Sequence, residues 1–287
     1  MRRIVLSAMM ATVAIGLNAQ TVQETFNGTR IINGHSTETL KSRVLQYRIE
    51  HRFGDLAGDN GGIEQFYGLD QAADIRFALE YGITDKWMVG LGRSKGSFET
   101  YRAIVDGFTK YRLLSQTQDN KMPISLTVMG ASTISYAKAV ADLSQVGSYP
   151  DFAHRMAYTG QFVIARKFGE RLSLQIAPTY VHRNYVAALD ENGVFALGGA
   201  AHYKFTKKFA AMVEYYHVGN QTQGRVDMNT TNSLGGGVEW ATNGHIFRVN
   251  LTNSRGFTET QFIPLTTSEW GEGEFRLGFS ITRNFKL

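Results

Sequence analysis

Cysteine is absent from the 287 residues. That excludes disulfides, thiolate metal sites, a cysteine nucleophile and the thiol to which a bacterial lipoprotein attaches its lipid. A dense basic run is also missing, although the formal net charge is +5, so nucleic acid is excluded as a partner. Beyond the N-terminus no run approaches the ~18 apolar residues of a transmembrane helix. What the chain does have is 30 glycines, 13 tyrosines and 18 phenylalanines, a composition suited to strands and tight turns.

The N-terminus has the form of a targeting segment. Arg2 and Arg3 are followed by an apolar stretch, Ile4 to Leu17, and Leu17-Asn18-Ala19 ends in the small residue a signal peptidase requires. Fourteen residues are too short to span a bilayer comfortably, so the expectation is a signal peptide over 1–19, cleaved after Ala19. An exported chain without a membrane helix is periplasmic, secreted, or inserted in the outer membrane as a barrel.

From residue 44 onward the pattern has period two. Leu45-Gln46-Tyr47-Arg48-Ile49-Glu50-His51-Arg52-Phe53, Asp74 to Tyr81 and Phe275 to Thr282 alternate apolar and polar residues. Alternation on a strand gives one greasy and one polar face. Twelve such segments are expected, at 44–53, 73–83, 87–93, 104–113, 123–135, 155–168, 172–183, 194–205, 209–217, 232–240, 246–254 and 274–285. About 10 residues rising about 3.3 Å each, tilted about 40°, span about 25 Å, the apolar band of an outer-membrane barrel.

The connections alternate strictly between short and long. The short ones are 84–86, 114–122, 169–171, 206–208 and 241–245; the long ones are 54–72, 94–103, 136–154, 184–193, 218–231 and 255–273. A membrane barrel with short periplasmic turns and longer outer loops predicts this sorting, and a soluble β-sandwich does not. Aromatics gather near strand ends on the greasy face (Tyr47, Tyr81, Trp87, Tyr111, Tyr180, Tyr203, Tyr215 and Trp240), as in interfacial girdles. The expected fold is all-β: a single transmembrane antiparallel β-barrel of about 12 strands over 44–287, preceded by a periplasmic or lumen-inserted segment, 20–43. An even strand number puts both ends in the periplasm.

Several runs carry a family likeness: Thr25-Phe26-Asn27-Gly28-Thr29-Arg30-Ile31-Ile32-Asn33-Gly34-His35-Ser36, Arg52-Phe53-Gly54-Asp55, Leu79 to Asp85, Val89 to Ser94 and Asp106 to Tyr111. Together they resemble a β-barrel family of the Bacteroidetes, the domain of unknown function numbered 5777. The resemblance covers essentially the whole mature chain. It implies an outer-membrane barrel in a Gram-negative host and no particular activity.

Little catalytic chemistry is visible, and neither a cofactor nor a metal is implied. Gly90-Leu91-Gly92 with Gly96 has the wrong spacing for a dinucleotide fingerprint and no helix after it. Gly235-Gly236-Gly237 lies in a strand, where glycine marks a bend or close packing. The seven histidines show no metal-ligand spacing. In Gly54 to Glu64, three acids without a base could hold Ca²⁺ but lack a known calcium-loop spacing, so a solvated loop is favoured. A lipid-facing hydrolase would need a serine and a histidine in contact on the outer face; the candidates, Ser132 and His182, sit two strands apart.

The polar face is the informative one. Inward positions include Arg48, Arg52, Arg76, Lys110, Arg112, Lys167, Arg183, Lys204, Arg248 and Arg276, with Glu50, Asp74, Glu80, Asp106, Glu214 and Glu239 opposing them. Either these charges pair inside a filled barrel, or they line a narrow hydrated pore with a basic bias of ten to six. The corresponding functions are a passive pore for small polar solutes and a non-conducting structural or partner-binding barrel; a lipid-facing hydrolase is a remote third. Expected partners are outer-membrane lipid and lipopolysaccharide, the barrel-insertion machinery and small polar solutes.

Overall fold

The structure is a computed structural model that describes residues 20–287 except 23, 72–73, 97–102 and 220–221. The expected signal segment, 1–19, lies outside the described residues. Twelve antiparallel strands close into a barrel in which each pairs with its sequence neighbours and β1 (Val44–Arg52) pairs with β12 (Arg276–Lys286). Between them lie β2 (Asp74–Gly82), β3 (Trp87–Lys95), β4 (Ala103–Leu114), β5 (Ser125–Ser135), β6 (Met156–Phe168), β7 (Leu172–Arg183), β8 (Gly193–Lys204), β9 (Phe209–Val218), β10 (Ser233–Ala241) and β11 (His245–Thr252). Closure leaves no edge strand, so every strand's main chain is paired in the sheet, the condition for crossing lipid.

The alternation sorts side chains as a membrane barrel requires. Along β1, Gln46, Arg48, Glu50 and Arg52 are buried inward while Leu45, Tyr47, Ile49 and His51 face out. Leu91, Phe195 and Leu197 are exposed on the outer face, where lipid meets them. Trp87, Tyr111, Tyr203 and Trp240 ring the short-turn end, and Tyr158, Tyr180 and Tyr215 the long-loop end. Glu274 and Phe275, expected within the last strand, precede it instead: the Glu274 amide donates to the Glu269 carbonyl at 3.1 Å and Phe275 stacks on Trp270 at 5.0 Å.

Two segments outside the sheet occupy the barrel. Residues 24–40 enter from the short-turn end as a hairpin: Ile31 N–H donates to Gly34 O at 3.0 Å and Ser36 N–H to Thr29 O at 3.0 Å, around the Arg30–His35 bridge. From the other end the last long connection, 255–273, turns inward with the short helix α2 (Glu259–Phe262), all four residues of which are buried. The sequence reading treats 255–273 as one of six outer loops. Phe257, Phe262 and Ile263 explain the difference: all three are buried, Phe262 and Ile263 in an apolar cluster with Val181, Val194 and Tyr216, and Phe257 against the Arg52 guanidinium.

Three small apolar clusters hold this filling. Phe26, Ile31 and Ile32 of the plug pack on Ala165 and Met212; Leu40 packs with Met88, Phe108 and Met129; Phe262 and Ile263 pack with Val181, Val194 and Tyr216. Each fully buried side chain of this size contributes about 1.5–3 kcal/mol. Close approach replaces volume at two glycines. A Cβ on Gly34 would lie 2.0 Å from the Tyr216 hydroxyl, and one on Gly235 would meet Ile32 at 3.1 Å. Gly235 of β10 therefore accommodates the plug tip.

Candidate functional site: the plugged lumen

Of the charges placed inward from the sequence, all but Arg112, Lys167 and Lys204 are buried, those three are half-buried, and most are held in specific bonds. Arg48 pairs with Glu80 at 2.9 Å and donates to Thr29 Oγ1 at 2.6 Å, and that hydroxyl donates to Glu80 at 2.6 Å. Arg76 bridges Glu50 and Asp106, each at 2.6 Å. Arg248 binds Glu239 at 2.6 Å; the same carboxylate accepts from Asn27 of the plug at 2.5 Å and lies 3.1 Å from His202. Arg112 pairs with Glu38 of the plug at 3.0 Å. Asp74 is buried opposite Arg52, where β2 pairs with β1.

Lys110, Arg52 and Arg276 instead bind main-chain oxygens. Lys110 donates to the carbonyls of Thr29 at 3.1 Å and Glu38 at 2.6 Å. Arg52 donates to the Ser254 carbonyl at 2.9 Å, to the Gly256 carbonyl and to Asn33 Oδ1, with Phe257 4.5 Å away across its guanidinium. Arg276 donates to Asn253 O at 3.1 Å and Ser268 Oγ at 3.0 Å. Conversely, Glu214 accepts the amides of Asn33 at 2.9 Å and Gly34 at 3.1 Å. Carbonyl oxygens of the plug and of the start of the last connection thus solvate the buried charges of Lys110, Arg52 and Arg276, as burial demands.

Plug and loop meet in mid-barrel. Arg30, 2% exposed, donates to Phe257 O at 2.9 Å and lies 3.1 Å from His35 Nε2, and His35 stands 3.9 Å from Glu259. Sequence reasoning did not foresee Arg30, His35 or Glu259. At the long-loop end Arg183 and Arg225 clasp Asp190 at 2.6 and 2.7 Å, and Arg225 donates to Pro264 O at 2.8 Å, joining three loops.

Asp55 is buried and accepts the Gly58 amide at 3.2 Å, capping its own loop rather than facing solvent. No three His, Asp or Glu side chains gather as a metal site among the described residues. Ser132 and His182 both pair with Tyr158, on opposite sides of β6, so that ring stands between them.

Among the described residues, an open region lies at the short-turn mouth. A cavity of about 530 Å³ lies between Glu24 and Asn27 of the plug and a wall that includes Lys204, Lys207, Lys208 and Asn284. A second, of about 360 Å³, adjoins it through Lys204 and Lys207 and adds Lys167 and Arg171.

Among solved structures the barrel is similar to the KdgM porin in complex with disordered oligogalacturonate, with a TM-score of 0.51 and 9% identity over 84% of this chain and 99% of that one. It is also similar to an outer membrane channel from Pseudomonas putida F1, with a TM-score of 0.48 and 14% identity over 87% and 98% of the two chains. At such identities the likeness shows the fold alone. No curated protein sequence matches the chain. The profile of a family described as a membrane bound beta barrel domain matches residues 26–285, from the plug to the penultimate residue of β12. The chain therefore belongs to that family, the domain of unknown function numbered 5777.

Proposed function

We propose that this protein is an outer-membrane channel for small polar solutes that rests closed. In this reading the short turns and both chain ends face the periplasm, the plug that enters from there closes the passage, and 255–273 narrows the outer mouth. The observation that carries it is the polarity of the inner wall. From Glu239 and Arg248 near the short turns to Arg52 and Arg276 near the long loops, the buried wall is charged along its whole depth. Withdrawal of the contiguous segment 24–38 would leave a hydrated, charged passage rather than a greasy hole. No reaction is assigned to it; its surroundings are outer-membrane lipid and lipopolysaccharide, and the barrel-insertion machinery during assembly.

Planar-bilayer conductance tests the reading. The intact protein should show rare openings, and the protein lacking 24–38 a steady conductance. A deletion protein that still runs as a folded, heat-modifiable barrel yet passes no current would overturn it. The double clasp of Asp190 favours a second reading, a permanently filled barrel that presents its loops to a partner, and the same null conductance would support it.

A further inference from the structure

The cavity at the short-turn mouth differs from the rest of the interior in how its charges are met. Deep in the lumen, Arg48, Arg76, Lys110 and Arg248 each have a carboxylate or carbonyl partner. At the mouth, Lys204, Lys207, Lys208 and Arg171 take part in no ion pair among the described residues. The acids lining the two joined cavities are Glu24 and Glu170. Lys167 Nζ donates to the Glu24 carbonyl at 3.2 Å.

We propose that this vestibule is a binding site for a small free polyanion, a solute carrying phosphate or several carboxylates. Three turns supply the site. Lys207 and Lys208 lie on the β8–β9 turn, Arg171 on the β6–β7 turn, and Asn243 on the β10–β11 turn. Neutral amides on Asn27, Asn243 and Asn284 add donors among the cations. A concave pocket between low-dielectric walls focuses the field of its charges and raises the local concentration of counter-ions. About 530 Å³ is ample for a solute of this class. Lys204 points into the barrel while its neighbour Tyr203 is 40% exposed on the outer face, so the site opens to water and not to lipid headgroups. Its floor is the contact of Asn27 with Glu239, so a bound anion sits directly over the closed plug. The proposal names the chemical class of solute and in that respect rests on the channel reading; the site itself rests on the cavity.

Isothermal titration of the folded full-length barrel in zwitterionic detergent, at low salt, tests it with inorganic pyrophosphate and, separately, citrate. Saturable binding of at least one probe is expected, weakening as NaCl is raised. K204Q/K207Q should weaken it about tenfold or more, because charge-assisted bonds are lost, while K95Q/K138Q at the opposite rim should not. Preference for pyrophosphate or citrate identifies phosphate or carboxylate. Three results would overturn the proposal: no saturable binding of either probe, equal loss in K95Q/K138Q, or loss of probe binding in nanodiscs doped with phosphatidylglycerol, which would assign the site to a headgroup. Heat-modifiable gel mobility verifies that each variant is folded. The titration needs no current, so failure of the channel reading leaves this result interpretable.

Discussion

Glu214 of β9 reaches inward and accepts the main-chain amides at the tip of the plug, that of Asn33 at 2.9 Å. Ile32, Asn33 and Gly34 all present N–H groups to this one carboxylate, the reverse of the usual case in which a backbone concavity captures a foreign anion. Glu214→Ala removes the acceptor and leaves buried amides unpaired, at a cost of about 2–3 kcal/mol to the seated plug. Bilayer recordings should show openings more often than in the parent, while gel mobility stays that of a folded barrel. Unaltered opening frequency would mean the tip is not what holds the plug.

Removal of the plug should also reveal the charge of the wall. Lys110 and Arg112 lose their partners Thr29 and Glu38, so the barrel lacking 24–38 should prefer anions modestly. The reversal potential across a KCl gradient gives the sign, and the preference should shrink as salt screens it. Cation preference would show that the acids Glu50, Glu80 and Asp106 outweigh the freed cations.

Gly34 lies against Tyr216, where an added Cβ would sit 2.0 Å from the hydroxyl. Gly34→Ala should destabilise the plugged form by about 1–3 kcal/mol, an overpacking cost. G34A/Y216F should recover part of the loss, since only the hydroxyl is removed and the ring carbon behind it remains at 2.9 Å. The temperature at which the compact gel band disappears reports both.

Asp190 answers to pH. Burial raises its carboxyl, but the hydrogen bond and charge of Arg183, with Arg225 behind, outweigh burial and hold it below the ordinary 3.8. A lowered folded value means the clasp contributes fully above the ordinary carboxylate range and is lost only as pH falls through the lowered value. Protease sensitivity of 255–273 should therefore be the same at pH 7 and at about pH 5, well above an ordinary aspartate. Asp190→Asn should raise it at pH 7.

Orientation is tested by labelling intact cells. A tag between Gly58 and Gly62 should be reached by an external probe and one at Lys207-Lys208 should not. The inverse result would turn the barrel over and place the plug's entrance outside.

The barrel was legible in the sequence because period-two alternation and loop lengths are imposed locally, by the pleat and by the lipid. The strand ends agree with the structure to within one to two residues at nearly every position. The filling was less legible, since it depends on contacts between residues far apart in the chain. Its trace was nonetheless present: Met88, Phe108, Met129, Met212 and Tyr216 fall on inward positions, where only an apolar filling gives them partners. Phe26, Ile31, Ile32 and Leu40 are their counterparts in 20–43. Which side chain meets which could not be read, because an irregular segment of this kind has no period. The role of 255–273 was hidden by its length, which matches that of a solvated loop.

The contact between Asn27 and Glu239 spans 212 positions of the chain. Phe26, Ile31 and Ile32 are sheltered only once the strands that receive them close around them. Closing so long a loop is slow, and apolar side chains exposed until then invite aggregation. Seating the plug therefore requires both ends of the polypeptide at once. The β1–β12 seam, Val44 beside Lys286, joins those same ends, so enclosure of the plug and sealing of the wall are completed together.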